Sequence, residues 1–231
     1  MYWMLRTLLG SYLYIVVIVT PIVAVSFFSK TGNTPHIMAR HWAQFTLACA
    51  NTTVDVQGQE NLPAGPAIYM ANHSSFFDVF AVLGKLDVQF RWIVKKELFK
   101  IPLFGLAMKR VGYLSIDRGN HDKAMQSMQL AADKIRAGTS IMMFPEGTRS
   151  SDGSLAYPFK KGGFHLALKA GVPIVPIAIT GSRDILPKHG MRISPGTITL
   201  AIDKPVYPEG HDAASFSEAV YRALKNGLQD A

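Results

Sequence analysis

The sequence predicts an α/β domain: a mixed, largely parallel central sheet flanked by helices and preceded by a membrane-associated helical hairpin. Three observations carry this. Short apolar runs recur between residues 53 and 202, separated by helical periodicity or turn-rich loops, the pattern of strands joined by crossover helices. Several runs stop abruptly at polar or charged residues, as strands do where they leave a buried sheet. Residues 7–29 carry no charged side chain, which sets the N-terminus apart. The chain has 231 residues, enough for one such domain and a small extra element. The expected division is 1–52 for anchoring helices and 53–231 for the α/β body.

A helix over residues 7–29 would be about 34 Å long, against a hydrocarbon core of about 30 Å. It can span once with a kink at Pro21, or enter one leaflet and return. A membrane anchor is the favoured reading, with a cleaved signal peptide and a buried soluble helix as alternatives. Arg6, Lys30 and Arg40 give no orientation signal. Thr34-Pro35 opens a second helix to about Asn51. Met38, Trp42, Phe45 and Cys49 form its apolar stripe, and Arg40 and Gln44 lie on the other side. That stripe fits a membrane interface and a domain core equally well.

Thr53 to Gln57 alternates like a strand, and Gly58 to Pro66 is a loop. Ala67 to Ala71 is a buried strand ending at Asn72-His73, with Ser74 or Ser75 able to cap a following helix. Arg91 to Val94 is the next strand. A short helix over Pro102 to Lys109 closes at Gly112. Tyr113 to Ile116 is a strand, and Asn120 to Arg136 a helix with Ala124, Met128, Ala131 and Ile135 inward. Ser140 to Phe144 is a buried strand, and Lys160 to Ala170 is helical. Val172 to Thr180 suits a central strand if Pro173 and Pro176 sit at its start, an edge or a bulge. Ser182 to Gly190 reads as a mobile loop, Thr197 to Ile202 as the last strand. Ser215 to Glu218 resembles a capping box opening the last helix.

Net charge is +8, which favours an anionic partner: nucleic acid, anionic lipid, or a phosphorylated or acidic substrate. No dense Lys/Arg run with interleaved aromatics supports nucleic acid. Cys49 is the single cysteine, so an internal disulfide and a thiolate zinc cluster are excluded. No two histidines flank a glutamate at metal-binding spacing. A phosphate loop, a dinucleotide fingerprint and a Gly-x-Ser-x-Gly elbow are also missing.

Two strand-end turns concentrate chemistry. In Asn72 to Asp78, His73 falls in the turn and Asp78 inside the helix, from where its carboxylate can reach back to the ring. Such a contact fixes the tautomer and leaves the other nitrogen as a base. A capped helix with an incidental His and Asp is the plain alternative. In Phe144 to Ser150, Gly147 permits a tight turn whose N–H can face an anion. Arg149 offers a planar fork for phosphate. Glu146 can accept from sugar or glycerol hydroxyls or hold Arg149; a surface Glu–Arg pair is the alternative. Lys95, Lys96 and Arg118, each just after a strand, are further phosphate candidates, or simply solvated charges.

These residues resemble the glycerolipid acyltransferase family, specifically its bacterial 1-acylglycerol-3-phosphate acyltransferases. Asn72-His73 with Asp78 is similar to the His-x-x-x-x-Asp block. Gly112 to Arg118 resembles the second block, Phe144 to Ser150 the Phe-Pro-Glu-Gly-Thr-Arg-Ser block, and Val175-Pro176-Ile177 the short fourth. The resemblance covers roughly residues 55–205 and departs at Ser115, where the family has a larger apolar residue.

The resemblance implies acyl transfer from acyl-CoA or acyl carrier protein to a lysophospholipid hydroxyl, without a bound cofactor, a metal or an acyl-enzyme. His73 would be the general base and Asp78 its orienting group. Glu146, Gly147, Thr148 and Arg149 would bind the acceptor's phosphate and glycerol, with Arg118 and Lys95 or Lys96 as further phosphate ligands. The body would sit on the cytoplasmic face of the inner membrane. Other lysolipid acceptors and a non-catalytic membrane- or carrier-binding protein remain as alternatives. A base must be neutral; with an ordinary imidazole pKa near 6.5, activity is expected to fall below about pH 6.

Overall fold

Seven strands form one sheet: β1 (Thr52–Gln57), β2 (Ile68–Ala71), β3 (Phe90–Lys95), β4 (Leu114–Ile116), β5 (Ser140–Met143), β6 (Ile174–Thr180) and β7 (Gly196–Ile202). The structure is a computed structural model that describes residues 1–29, 31–117, 119 and 121–230. The strand order is β1-β7-β6-β2-β5-β3-β4. Every neighbouring pair is parallel except β6 and β7. The sheet is therefore mixed and mostly parallel, and the C-terminal ends of β2, β3, β4, β5 and β6 share one edge.

Both faces are covered, so the central strands are apolar throughout instead of alternating with polar residues. Tyr69 and Ala71 of β2 face one cluster while Ile68 and Met70 face the other. The first cluster is closed by α2 (Asn33–Cys49), α3 (Phe77–Lys85) and α4 (Phe104–Val111), with a few residues of α1 (Tyr2–Ser26). The second is closed by α5 (His121–Arg136), α6 (Gly162–Ala170) and α8 (Ala213–Asp230).

α1 is long and apolar enough to cross a membrane, and only Thr7, Val19 and Ile22 of it are buried. It lies along α2 as a hairpin. Arg6 donates to the carbonyls of Cys49 at 2.6 Å and Ala48 at 2.7 Å, supplying partners that the end of α2 lacks. Trp42 Nε1 donates to Ser11 Oγ at 3.1 Å, and Tyr14 stacks on Phe45 at 4.6 Å.

The structure thus revises the expected polarity of α2. Trp42, Phe45 and Cys49 face α1, while His36, Ala39, Ala43 and Leu47 enter the body's core. Arg40 and Gln44 do not point to solvent. Arg40 donates to the carbonyls of Leu86 and Val88, and Gln44 to that of Gly84, so both terminate α3. Polar side chains that satisfy buried carbonyls read as a solvent face when only type and spacing are known.

The start of α2 is keyed by Arg91, which is 1% exposed. Its guanidinium donates to Thr31 O at 2.8 Å, Asn33 Oδ1 at 2.7 Å and Phe90 O at 2.8 Å. Gly32 has φ 75°, and a Cβ there would lie 2.6 Å from Val111 O, so only glycine fits this turn.

One expectation holds and two others change. Pro176 lies inside central β6. Ile177 pairs with Ile202 while Ile174 pairs with Val206. Three steps on β6 therefore face four on its partner, a bulge where the missing N–H of Pro176 costs nothing. The segment after β6 begins with a helical turn, α7 (Ser182–Ile185), whose Ser182 and Ile185 are buried. The last helix is capped one turn earlier than expected. Asp212 Oδ1 accepts from Ser215 N at 2.7 Å, and Asp212 N donates to Ser215 Oγ at 3.0 Å.

Candidate active site

β2 and β5 are parallel neighbours with Met70 opposite Met143, so the turns that follow them meet at one sheet edge. There His73 Nδ1 lies 2.8 Å from Asp78 Oδ2. The same oxygen accepts the N–H of Ser74 at 2.7 Å and of Ser75 at 2.8 Å. Asp78 sits in the first turn of α3 and is fully buried. It thus closes the turn and aims the imidazole together. The two side chains are therefore joined, as a carboxylate-oriented imidazole requires. The expected serine cap is realised through Ser75, whose Oγ accepts from Phe77 N at 3.1 Å and donates to Leu186 O at 2.7 Å.

The ring of His73 lies flat on Phe144, with centroids 3.9 Å apart and planes 5° apart. Phe144 leans in turn on Trp92. The ring is therefore held at one edge by a carboxylate and on one face by an aromatic. Nε2 has no hydrogen-bond partner among the described residues and is left for a ligand. The side chain of His73 is 15% exposed, so the ring is reachable from solvent and still largely shielded from bulk water.

Glu146 is not paired with Arg149 and instead holds backbone groups. Its Oε1 accepts the His73 N–H at 2.7 Å and its Oε2 the Ala156 N–H at 3.0 Å. The carboxylate therefore fastens the β2 turn to the β5 turn and to the loop beyond. Burial raises its pKa, the two N–H donors oppose that shift, and the Asp78 charge adds to it. Ser150 N donates to His73 O, completing a second tie between the turns. Gly147 also departs from expectation. It has φ 76°, and its N–H donates to Phe144 O at 3.1 Å. That N–H closes the turn instead of facing an anion.

Arg149 extends over Phe76, with its guanidinium carbon 3.9 Å from the ring centre. Its Nη1 is buried without a partner among the described residues. Burial lowers its pKa and the Asp78 charge opposes this. It makes no ion pair with Glu146, so the surface-pair alternative fails too. Thr148 beside it is exposed. Lys95 ends β3 and Lys96 follows it, one strand beyond β5 on the same edge. Lys95 lies 3.8 Å from Glu97, and Lys96 pairs with Asp117 at 2.7 Å. Arg118 lies outside the described residues.

Two contributors were not singled out from the sequence. Asn72 exchanges hydrogen bonds with the backbone of Ile179 at 2.7 and 2.8 Å, pinning the His73 turn to β6. Lys188 donates to Arg149 O at 2.6 Å. Together with the Ser74–Ser182 contact at 3.2 Å, this makes the segment after β6 a wall of the site. No local signal marks either residue, because their partners lie 107 and 39 positions away.

Comparison with known proteins matches this architecture. Residues 53–180 match the family described as Acyltransferase, and the chain belongs to that family. Over 175 residues it is 38% identical to a chloroplastic 1-acyl-sn-glycerol-3-phosphate acyltransferase of Brassica napus, covering 74% of this chain and 50% of that protein. It is 30% identical over 191 residues to the 1-acyl-sn-glycerol-3-phosphate acyltransferase of Pseudomonas aeruginosa, covering 80% of this chain and 73% of that one. Among solved structures, the 1-acyl-sn-glycerophosphate (LPA) acyltransferase PlsC from Thermotoga maritima aligns with a TM-score of 0.84 at 27% identity, over 99% of this chain and 94% of that chain. This chain spans about half the length of the chloroplastic relatives it matches.

Proposed function

We propose that this chain transfers a fatty acyl group from a thioester to the free sn-2 hydroxyl of 1-acylglycerol-3-phosphate, yielding phosphatidic acid for phospholipid synthesis. The observation that carries the reading is the His73–Asp78 pair at 2.8 Å, with Nε2 unpartnered among the described residues and Arg149 on the adjoining turn. Support also comes from the names of the relatives and of the solved neighbour.

The acceptor's hydroxyl donates to His73 Nε2, and its oxygen attacks the thioester carbonyl as the proton passes to the ring. Asp78 holds the proton-bearing Nδ1 and stabilises the imidazolium that forms. Collapse of the tetrahedral intermediate breaks the C–S bond, and the imidazolium returns its proton to the leaving thiolate. Arg149, with its unpartnered Nη1, binds the acceptor's phosphate; Thr148 and Lys95 or Lys96 border the same site. Glu146 and Gly147 act by holding the two turns together. Acyl-CoA and acyl carrier protein are the donors proposed. α1 attaches the body to the membrane, on the cytoplasmic face of the inner membrane where such donors are made.

A panel of acceptors with and without phosphate, run with both donors, tests the reading. Arg149→Ala is expected to raise KM for lysophosphatidate by about tenfold or more, the worth of a charge-assisted contact, and to leave monoacylglycerol unaffected. Equal loss on both acceptors contradicts the phosphate role.

A further inference from the structure

The segment from residue 98 to 106 does something a buried loop does not: it displays several of its aliphatic side chains. Ile101 is 46% exposed, Leu103 58% and Leu106 42%. Leu103 has φ 60° and ψ −51°, and Phe104 N donates to Pro102 O at 2.6 Å. This is a γ-turn of the rare, strained hand, carried by a leucine. Strain of this kind persists where the surroundings enforce it and marks functional segments. Here Gly105 packs so tightly under Phe99 that a Cβ would lie 2.1 Å from its carbonyl oxygen. The crossing turns Leu103 outward.

Ile101, Leu103 and Leu106 border an open groove of about 650 Å³ together with Phe99, Tyr113 and Leu130. The rim is basic. Residues 95–110 contain Lys95, Lys96, Lys100, Lys109 and Arg110 against one carboxylate, Glu97. Lys100, Lys109 and Arg110 are exposed. Apolar prongs within a ring of cations match the boundary between anionic headgroups and acyl chains.

The position of the patch points the same way. The 3-10 turn Lys96–Lys100 follows β3 directly, so the patch lies on the sheet edge that carries His73. It is continuous with the apolar N-terminal half of α1. Phe104 meets Trp42 edge-on at 5.9 Å, and Trp42 is bonded to Ser11 of α1. Leu8, Leu9, Tyr12 and Leu13 around Ser11 are all more than half exposed.

We propose that residues 98–106 form a second membrane-contact surface, inserting Ile101, Leu103 and Leu106 into the surface of an anionic bilayer. With α1 as one support and this patch as the other, the sheet edge bearing His73 is pressed against the leaflet that holds the acceptor. The contact itself does not depend on the acyltransferase reading; only the activity arm of the test does.

The test uses the full chain. In a Cys49→Ser background, Leu103→Cys carries an environment-sensitive dye, and Glu209→Cys, on the opposite sheet edge, carries it as a control. With phosphatidylglycerol–phosphatidylcholine vesicles, the dye at 103 is expected to shift to the blue and be quenched by spin-labelled lipid, while the dye at 209 stays unchanged. An unshifted dye at 103 overturns the proposal. In the second arm, Ile101→Asp/Leu103→Asp is expected to lose about tenfold or more of its activity on lysophosphatidate in those vesicles. It is expected to keep its activity on a short-chain, monomeric acceptor. Equal loss on both acceptors, or a changed chain-length preference on monomeric acceptors, means that the segment serves the substrate instead of the bilayer, and overturns the proposal. A wild-type protein inactive on both acceptors contradicts the acyltransferase reading and leaves the dye result standing.

Discussion

Asp78 Oδ2 accepts from Nδ1 of His73 and from two backbone N–H groups, and its other oxygen is buried without a partner among the described residues. Asp78→Asn can keep the accepting oxygen in place, but it removes the charge and buries an unmatched NH₂. It is expected to lower kcat by about 10²–10⁴ with little change in acceptor KM; steady-state kinetics on protein with an unchanged circular dichroism spectrum checks this. A loss seen only in KM contradicts an orienting role. The pair could be read from the sequence because five positions across a strand-to-helix turn are a local geometry. The bonds of Glu146 could not. One of its partners, His73, lies 73 positions away, and the parallel pairing of β2 with β5 brings them together. Residue type suggested a ligand for hydroxyls; sheet topology made Glu146 a fastener for the His73 turn.

At the scale of elements, the docking of α2 rests on a cation with no carboxylate partner among the described residues. Arg91 meets backbone and amide oxygens around the Thr31–Asn33 turn. Arg91→Leu removes the donors and strands those acceptors, so a loss of about 3–5 kcal/mol is expected. A urea melt of the full chain in detergent checks it, and a loss below about 1 kcal/mol contradicts the keying role. Strands were legible where apolar runs end in turns, because burial on both faces of a parallel sheet leaves that signature. The destination of the faces of α2 stayed open because two apolar stripes flank Arg40 and Gln44, whose polar atoms serve carbonyls at and just beyond the end of α3. The cap of α8 was displaced because Asp212 and Ser215 meet the capping requirement one turn before the Ser–Glu spacing does.

For the whole molecule, pH enters through His36, which is fully buried between Phe90 and Tyr113. Burial first, then the Arg91 and Arg40 charges, lower its pKa to about 3. Its Nδ1 lies 3.2 Å from Tyr113 OH, and its Nε2 is unpartnered among the described residues. The unfolded chain takes up a proton near pH 6.5 and the folded chain does not. The stabilisation is therefore complete above about pH 6.5 and is lost as pH falls from there towards about 3. Unfolding free energy is expected to drop by about 2 kcal/mol between pH 7 and pH 5 from this residue. His36→Gln should flatten that slope, and an unchanged slope contradicts the assignment. The strand order and the apposition of the two turns were beyond the sequence alone, since one set of strands and crossovers admits several sheet orders. The ordered motifs, by contrast, already placed the chain in its family.

The central claim is that His73 activates a lipid hydroxyl for attack on a thioester. The most direct measurement follows phosphatidic acid formation by purified full-length protein from labelled acyl-CoA or acyl carrier protein and 1-acylglycerol-3-phosphate in vesicles, wild type against His73→Ala. The wild type is expected to form product, and His73→Ala to lose about 10³-fold or more of the rate while still binding the vesicles. Product formed by His73→Ala at the wild-type rate, or no transfer by the wild type from either donor, contradicts the account.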